Sequence, residues 1–241
     1  MVLEPLEILN GLLSFILVAQ SIYVGILIAS KYSKYKNKYL ILLGIDTILL
    51  FEPWWPSTVS FLMNFIIGKG LTLQMYLLLG NILIPVSVLI WLIFITHFMY
   101  QRYRKVILII YSSLSVIYNI FFLYFFFTDP ELMGQLQGAV DINYSNFLLG
   151  YLLVALVVLL ITGILFAKTL LKSENPEIKL KGKLILIGFI SFVLGAILDS
   201  AIPLNPITLP ITRIILMISA FELYGGFILP DWMKKLFLKR S

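Results

Sequence analysis

The chain has 241 residues, of which 61% are hydrophobic and 12% charged, and its mean hydropathy is +1.01. Because a soluble globular domain has an apolar share of about 45–50%, this composition excludes that class and indicates an integral membrane protein. The lack of cysteine excludes disulfides and a cysteine nucleophile, and the single histidine, His97, excludes a metal site built from several histidines. The net charge of +6 is explained by membrane orientation and anionic headgroups, so we expect no nucleic-acid partner.

A membrane-spanning helix needs about 20 predominantly apolar residues, and seven segments of the chain meet this requirement. In chain order they are residues 6–30, 39–60, 71–99, 106–127, 146–170, 184–203 and 211–229. The N-terminal residues have neither the basic region nor the cleavage site of a signal peptide, so we expect the first segment to be retained. Because little sequence lies outside these segments, we predict that residues 1–241 form a single domain, an all-α integral membrane bundle of seven transmembrane helices.

Lysine and arginine residues are concentrated in every second loop of the chain, so they lie on one side of the predicted bundle. Of 18 such residues, 16 lie around the ends of the first, third and fifth spans or in the C-terminal tail: Lys31, Lys34, Lys36, Lys38, Arg102, Arg104, Lys105, Lys168, Lys172, Lys179, Lys181, Lys183, Lys234, Lys235, Lys239 and Arg240. By the positive-inside rule, this pattern predicts a multi-pass protein of the cell membrane with its N-terminus outside and its C-terminus inside. The basic loops would then contact anionic headgroups at the inner face of the bilayer.

Two prolines and two tryptophans interrupt the second span at residues 52–58, about 14 residues after the span begins. We predict that the helix kinks or ends at Pro53 and that Ser57 caps a short second helix. Glu52 would end the first half-helix, where the helix dipole disfavours a negative charge. The break either lines a binding cavity, as discontinuous helices do in transporters, or places Trp54 and Trp55 among the lipid headgroups.

Five charged residues lie inside the predicted spans: Asp46, Glu52, Asp199, Arg213 and Glu222. Such residues are costly in hydrocarbon and usually face the bundle interior, so each is a candidate for function. At 1.5 Å per helical residue, Glu52, Asp199 and Arg213 fall at one level toward the outer side, where we expect them to meet. Asp46 and Glu222 fall about 10 Å from the inner boundary and would form a lower tier.

A short proline-rich turn joins the last two spans, so we predict that Asp199 contacts Arg213 in a two-pronged hydrogen-bonded pair. This pair either locks two helices together or recognises a ligand. Glu222 lies nine residues after Arg213, half a turn out of phase, so it needs a different partner. It would either carry protons or hydrogen-bond to a polar side chain of the bundle. The candidate partners are Asn81, Asn119 and Ser219.

Several chemistries have no supporting residues. A pigment of the microbial rhodopsin kind needs a lysine in the last span for the retinal Schiff base, and residues 211–229 contain none. Neither an intramembrane protease motif nor a phosphate-binding glycine loop is present. We therefore expect no enzyme activity, no catalytic residues, no metal site and no cofactor.

The closing stretch from Arg213 to Phe237 contains FELYGGFILPDW at 221–232, followed by KKLF at 234–237. This stretch resembles uncharacterised stand-alone seven-helix membrane proteins of archaea. More distantly, the whole chain resembles the seven-helix sensor region that precedes some histidine kinases, in its topology and in a last span that ends in Leu-Pro-x-Trp. The resemblance implies a ligand-sensing bundle. Because no kinase or other output domain follows Ser241, we expect any signal to pass to a separate partner.

Three interpretations of function follow from these residues. A receptor-like or sensory protein would bind its ligand in an outward-facing pocket formed by Glu52, Trp54, Trp55, Asp199 and Arg213. A cation- or proton-coupled transporter or channel would use as stations the carboxylates of Asp46, Glu52, Asp199 and Glu222. A structural or assembly protein would use the charges only to hold helices together. The concentration of polar residues in the outer half and the lack of a clear internal repeat favour the receptor-like interpretation.

Overall fold

The computed structural model describes residues 3–238, which fold into a largely helical bundle. Lys239 and Arg240, two of the basic residues assigned to the inner side, lie outside the described residues, as does Ser241. The helices are α1 (Pro5–Ser30), α2 (Tyr32–Tyr35), α3 (Tyr39–Leu49), α4 (Trp55–Ile67), α5 (Leu73–Asn81), α6 (Ile84–Phe98), α7 (Arg104–Thr128), α8 (Asn146–Leu171), α9 (Pro176–Ala201), α10 (Thr208–Ile228) and α11 (Asp231–Phe237). Short 3-10 turns lie at Glu52–Trp54, Gln101–Tyr103 and Pro130–Leu132.

Within residues 3–238, six helical stretches are long and apolar enough to cross a membrane. They are Pro5–Tyr35, Leu73–Phe98, Gln101–Thr128, Asn146–Leu171, Pro176–Ala201 and Thr208–Ile228. The predicted all-α class is therefore confirmed, and the six apolar stretches are compatible with the predicted helical membrane bundle. The predicted second span, 39–60, is not among the six stretches, because it is divided between α3 and α4, of 11 and 13 residues. Each of these helices is too short to cross about 30 Å of hydrocarbon alone.

The two halves of the divided segment nevertheless pack along the same helix. Gly44 of α3 lies against Gly25 of α1, so closely that a Cβ on either glycine would clash with the backbone oxygen of the other. Phe61 of α4 covers Gly11, near the beginning of α1. Since the contacts move toward the start of α1 as the chain advances, α3 and α4 together run antiparallel to α1 over most of its length.

A short β-hairpin lies between the predicted fourth and fifth spans and closes the end of the bundle where α1 begins. Strands β1 (Gly134–Gln137) and β2 (Asp141–Tyr144) pair antiparallel, and Gly138 in the turn has a φ of +68°. The backbone N–H of Ala139 donates to Glu7 Oε1 on α1 at 2.6 Å, and its carbonyl accepts from the hydroxyl of Ser60 on α4. The hairpin is thus fixed to two helices that lie far from it in sequence.

Aromatic packing fills the middle of the bundle below this end. Trp91 of α6 lies within 4.8 Å of Phe189 and 6.2 Å of Phe166, measured between ring centroids. Its indole N–H donates to the hydroxyl of Thr162 on α8 at 2.7 Å, which satisfies the one polar atom of this buried side chain. This core joins α6, α8 and α9.

Candidate functional site

A cavity of ≈ 1300 Å³ lies between the hairpin and the helices at the same end of the bundle. Polar side chains line the part near the hairpin and the ends of α1, α9 and α10, and apolar side chains line the part toward the aromatic core. The polar set includes Glu4, Glu7, Asn10, Trp54, Ser57, Tyr76, Asp141, Asn143, Tyr144, Asp199 and Arg213. The apolar set includes Ile84, Val88, Leu152, Leu156, Leu159 and Phe192. The cavity is therefore amphipathic, with one polar and one apolar region.

The predicted contact between Asp199 and Arg213 is present in the polar region. Arg213 Nη1 donates to Asp199 Oδ2 at 2.7 Å, and the arginine side chain is only 2% exposed. The pair is not two-pronged as predicted, because Nη2 of Arg213 donates instead to Asn10 Oδ1 at 2.9 Å. Asn10 also accepts from Ser14 of its own helix. The guanidinium thus connects α10 to both α9 and α1, and its Nε has no partner among residues 3–238.

Asp199 accepts two further hydrogen bonds and is the centre of this network. The indole N–H of Trp54 donates to its Oδ2 at 2.9 Å, and Thr212 Oγ1 donates to its Oδ1 at 2.9 Å. The guanidinium carbon of Arg213 lies 5.8 Å from the centroid of the Trp54 ring, within the range of a cation–π contact. The network joins the break after α3 to α1, α9 and α10.

The two tryptophans at the break have different surroundings, although both were expected in the pocket. Trp54 is 5% exposed and lines the cavity, so the alternative that places it among the headgroups is wrong. Trp55 does not line the cavity and packs against the hydrophobic core. The two tryptophans are consecutive, Trp54 at the end of the 3-10 turn and Trp55 at the start of α4. Because consecutive side chains on a helical turn point in different directions, only one of them faces the cavity.

Glu52 is fully buried, but it does not join Asp199 and Arg213 as predicted. Its Oε1 accepts from the backbone N–H of Leu83 at 2.8 Å, and Leu83 is the N-cap residue of α6. The carboxylate therefore lies at the start of a helix, where the helix dipole favours a negative charge. The predicted position at the end of a half-helix, where the dipole would disfavour that charge, is wrong. The other oxygen, Oε2, is buried without a hydrogen-bond partner in the described chain.

The contact between Glu52 and Leu83 places two helix breaks side by side. One separates α3 from α4, and the other separates α5 from α6 at Ile82 and Leu83. Ser57 does not cap α4, because that helix begins two residues earlier. Its hydroxyl instead lies 2.7 Å from the hydroxyl of Tyr76 on α5. Hydrogen bonds thus link the two discontinuous segments on either side of their breaks.

The lower tier of carboxylates is not assembled into one site. Asp46 is buried and accepts from the hydroxyl of Ser87 on α6 at 2.8 Å. Glu222 is half-buried, and one of its oxygens has no hydrogen-bond partner among the described residues. None of its three predicted partners donates a hydrogen bond to Glu222. In the part of the chain that the structure covers, Asn81 and Ser219 instead donate to carbonyls of their own helices. The amide oxygen of Asn119 has no hydrogen-bond partner there.

The hairpin contributes a carboxylate that is not among the predicted site residues. Asp141 lines the cavity, and burial raises its pKa to about 6. The negative charge of Asp199 also raises this pKa, whereas a hydrogen bond from the backbone N–H of Ile142 and the charge of Arg213 lower it. Glu7 and Asn10 are also absent from the predicted site. Asn10 gives the clearer signal, since it is an amide in the first turns of a predominantly apolar span.

Two observations concern possible metal ions and similarity to known proteins. Within residues 3–238, no group of three or more histidine, aspartate or glutamate side chains is arranged to hold a metal ion. Comparison of the chain with protein-family models and with curated proteins finds no match. The cavity and the residues around it are therefore the basis for assigning a function.

Proposed function

We propose that the chain is a receptor-like membrane protein that binds a small molecule in the cavity beneath the hairpin. The observation that carries the proposal is the cavity itself, ≈ 1300 Å³ in volume, with the buried Asp199–Arg213–Trp54 network on its wall. Ligand sites are typically concave and mostly apolar, with a few well-placed polar groups. A ligand that contacts this network would act at once on α1, α9, α10 and the break after α3, which suits a sensor.

We further propose seven spans, with the N-terminus outside the cell membrane. The packing of α3 and α4 along most of α1 supports counting 39–67 as one broken span in addition to the six long stretches. The described lysines and arginines, apart from Lys69 and Arg213, lie at the ends of helices opposite to the hairpin. With this orientation the cavity is on the outer side.

A signal would leave through the opposite, basic end of the bundle. There Lys181 Nζ of α9 donates to the carbonyl of Phe227 at 3.1 Å, near the end of α10. Lys234 of α11 pairs with Glu177 of α9 at 2.8 Å. A change in the relative position of α9 and α10 at the cavity would therefore alter the surface that these residues form. We propose that a separate partner, together with anionic headgroups, contacts this surface.

The binding function is tested with the purified protein in lipid nanodiscs. Cationic, zwitterionic, neutral and anionic small molecules are screened for those that raise the unfolding temperature, as any ligand of the native state must. Leu156→Trp fills the apolar part of the cavity, and Val157→Trp adds the same bulk on the neighbouring exposed position, which does not line it. Ligands that stabilise the wild type and Val157→Trp but not Leu156→Trp support the proposal, and a set that does not discriminate the two variants contradicts it.

The adjacent helix breaks favour a second candidate, a cation- or proton-coupled transporter or channel. Discontinuous membrane helices often mark the site of coupling ions, and Glu52 lies between two of them. In this alternative Asp46, Glu52, Asp199 and Glu222 would be stations along a pathway. Proteoliposomes under an imposed pH gradient and membrane potential test it. Flux that is lost in Glu222→Gln or Asp199→Asn supports the carrier and contradicts the receptor, whereas tight liposomes with stable protein exclude simple conduction of protons and cations.

A further inference from the structure

The charges that line the polar region of the cavity are mostly negative. They belong to Glu4, Glu7, Asp141, Asp199 and Arg213. The two terminal nitrogens of Arg213 donate to Asp199 and to Asn10. The arginine therefore neutralises the charge of one of the four carboxylates, and both of its terminal nitrogens already have a partner. The aromatic rings of Trp54, Tyr76 and Tyr144 lie among these carboxylates, and aromatic faces attract cations. This region is therefore suited to a positively charged group.

The cavity as a whole is too large for a small cation alone. At ≈ 1300 Å³ the cavity exceeds the roughly 300–1,000 Å³ of pockets for drug-sized ligands. Its inner wall is made of aliphatic and aromatic side chains, among them Val88, Leu152, Leu159 and Phe192. A ligand that fills both regions needs a hydrocarbon part next to its charged head, since burial of CH₂ groups against the apolar wall is favourable.

The wall of the cavity between α8 and α9 reaches the lipid-facing surface. Toward the basic end these helices pack closely, because the ring of Phe189 occupies the space where a side chain on Gly163 would lie. Toward the hairpin, Leu153 and Ile197 line the cavity and are also exposed, by 47% and 36%. Each continues a stripe of exposed apolar residues on its helix. These stripes contain Val154, Val157 and Ile161 on α8, and Ile187, Ile190 and Leu194 on α9.

We infer that the cavity binds a single-chain amphiphile with an amine or quaternary ammonium head, and that the ligand enters from the bilayer between α8 and α9. The inference rests on the proposed binding function and adds the chemical class and the route. The head lies against Asp141 and the neighbouring aromatic rings, and the chain extends along α8 toward the aromatic core. Such a molecule can be a membrane lipid or a lipophilic amine taken up from water, and both share the chemistry that the cavity recognises.

The class of ligand is tested with four probes added to the protein in phosphatidylcholine nanodiscs, with empty nanodiscs as reference. Dodecyltrimethylammonium, dodecyl sulfate and dodecanol share one chain and differ in charge, and tetramethylammonium carries the head without the chain. We expect dodecyltrimethylammonium to raise the unfolding temperature most and to bind about tenfold more weakly to Asp141→Asn, because its quaternary head attracts the carboxylate by charge alone and that attraction is lost. Asp129→Asn, which removes an exposed carboxylate that does not line the cavity, should leave its affinity unchanged.

The results separate this inference from the function on which it rests. If dodecyl sulfate or dodecanol binds as tightly as the cationic probe, and Leu156→Trp blocks this binding, the cavity is a binding site but the ligand class is wrong. If tetramethylammonium binds as tightly as its dodecyl analogue, the hydrocarbon chain is not recognised and the inference is overturned. If none of the four probes binds, the inference fails, and the broader ligand screen still decides whether the cavity binds any molecule.

The route of entry is tested by the kinetics of the same cationic probe, delivered either from water or from donor vesicles that already contain it. Tryptophan at both Leu153 and Ile197 should narrow the gap and slow association at least several-fold from either source. The matched variant Val157→Trp, on the lipid-facing stripe of α8 but outside the cavity wall, should not change the rate. Equal association rates in the wild type and in the Leu153→Trp, Ile197→Trp variant would overturn lateral entry.

Discussion

Glu52 accepts a hydrogen bond from the backbone N–H of Leu83 at 2.8 Å, and this contact joins two breaks in neighbouring membrane segments. A helix start exposes backbone N–H groups that have no partner within the helix. In hydrocarbon each such group costs several kcal/mol if it remains unpaired. The Glu52 side chain therefore makes the interruption between α5 and α6 tolerable, and its own charge is favoured there by the helix dipole.

Removal of the Glu52 carboxylate should destabilise the bundle. We expect Glu52→Ala to lower the free energy of unfolding by about 1–2 kcal/mol, the usual cost of losing an N-terminal cap. Glu52→Gln retains an acceptor oxygen and should cost less. The measurement is unfolding of the protein in a mild detergent, with Glu131→Ala at an exposed position as the control. Equal losses in Glu52→Ala and Glu131→Ala would show that the contact with Leu83 contributes nothing.

The Asp199–Arg213 pair should be strongly coupled, because the arginine is 2% and the aspartate 14% exposed. Asp199→Ala leaves a buried positive charge without its partner, and we expect it to cost about 3–5 kcal/mol. The double variant Asp199→Ala, Arg213→Met removes both charges and should be more stable than the sum of the single losses predicts. A double-mutant cycle of unfolding free energies measures this coupling. Purely additive losses would contradict a direct pair.

The same network distinguishes a ligand site from a purely structural one. Thr212→Val removes one hydrogen bond to Asp199, and Trp54→Phe removes another together with part of the cavity wall. Each should cost about 1 kcal/mol of stability. If the cavity binds a ligand, Trp54→Phe should also weaken binding, whereas Thr212→Val, whose side chain is not part of the cavity wall, should weaken it less. Equal binding by both variants and the wild type would favour a structural or assembly role.

The contact of Asp199 with Arg213 can be predicted from the sequence because it depends on few unknowns. A short turn joins the two helices, the two residues fall at the same height, and Asp199 has no other basic residue at that height within the predicted spans. Glu52 could not be placed in the same way. Its partner is a backbone N–H group that is free only because the next span is also broken, and hydropathy alone does not reveal a break near Leu83.

The hairpin shows a second reason why the site is only partly predictable. Its strands are four residues long, and a hairpin of this size has little stability alone. It is held by Glu7 and Ser60, which are far away in sequence, so its place over the cavity is a property of the folded bundle. The contribution of Asp141 to the cavity therefore has no local signal in the chain.

The close approach of α1 and α3 should depend on the small size of Gly25 and Gly44. Gly44→Ala places a Cβ against the backbone of α1 and must push the helices apart, so we expect a loss of about 1–3 kcal/mol. Gly150→Ala is the matched control, because a Cβ at that helical position meets nothing within 4 Å. It should be neutral or stabilising by up to about 1 kcal/mol. Unfolding in detergent measures both, and equal effects would contradict the proposed packing role.

Asp141 should make stability depend on pH in a defined direction. Burial raises its pKa from 3.8 to about 6, so between these values the native state binds more protons at this site than the unfolded state does. Stability contributed by the site is therefore present below about pH 4 and is lost as the pH rises through about 6, by on the order of 2–3 kcal/mol. The charge of Asp199 repels the ionised form, whereas that of Arg213 attracts it.

Because other carboxylates also titrate in this range, the informative quantity is the difference between the wild type and Asp141→Asn. The unfolding temperature of both proteins is measured from pH 4 to 7.5 in the same detergent. We expect the advantage of Asp141→Asn to be small at pH 4 and to grow until about pH 7, where the wild type carries an ionised carboxylate among like charges. Asp129→Asn should show no such growth. A difference between wild type and Asp141→Asn that stays constant with pH would mean that the hairpin carboxylate is solvated and does not face the cavity.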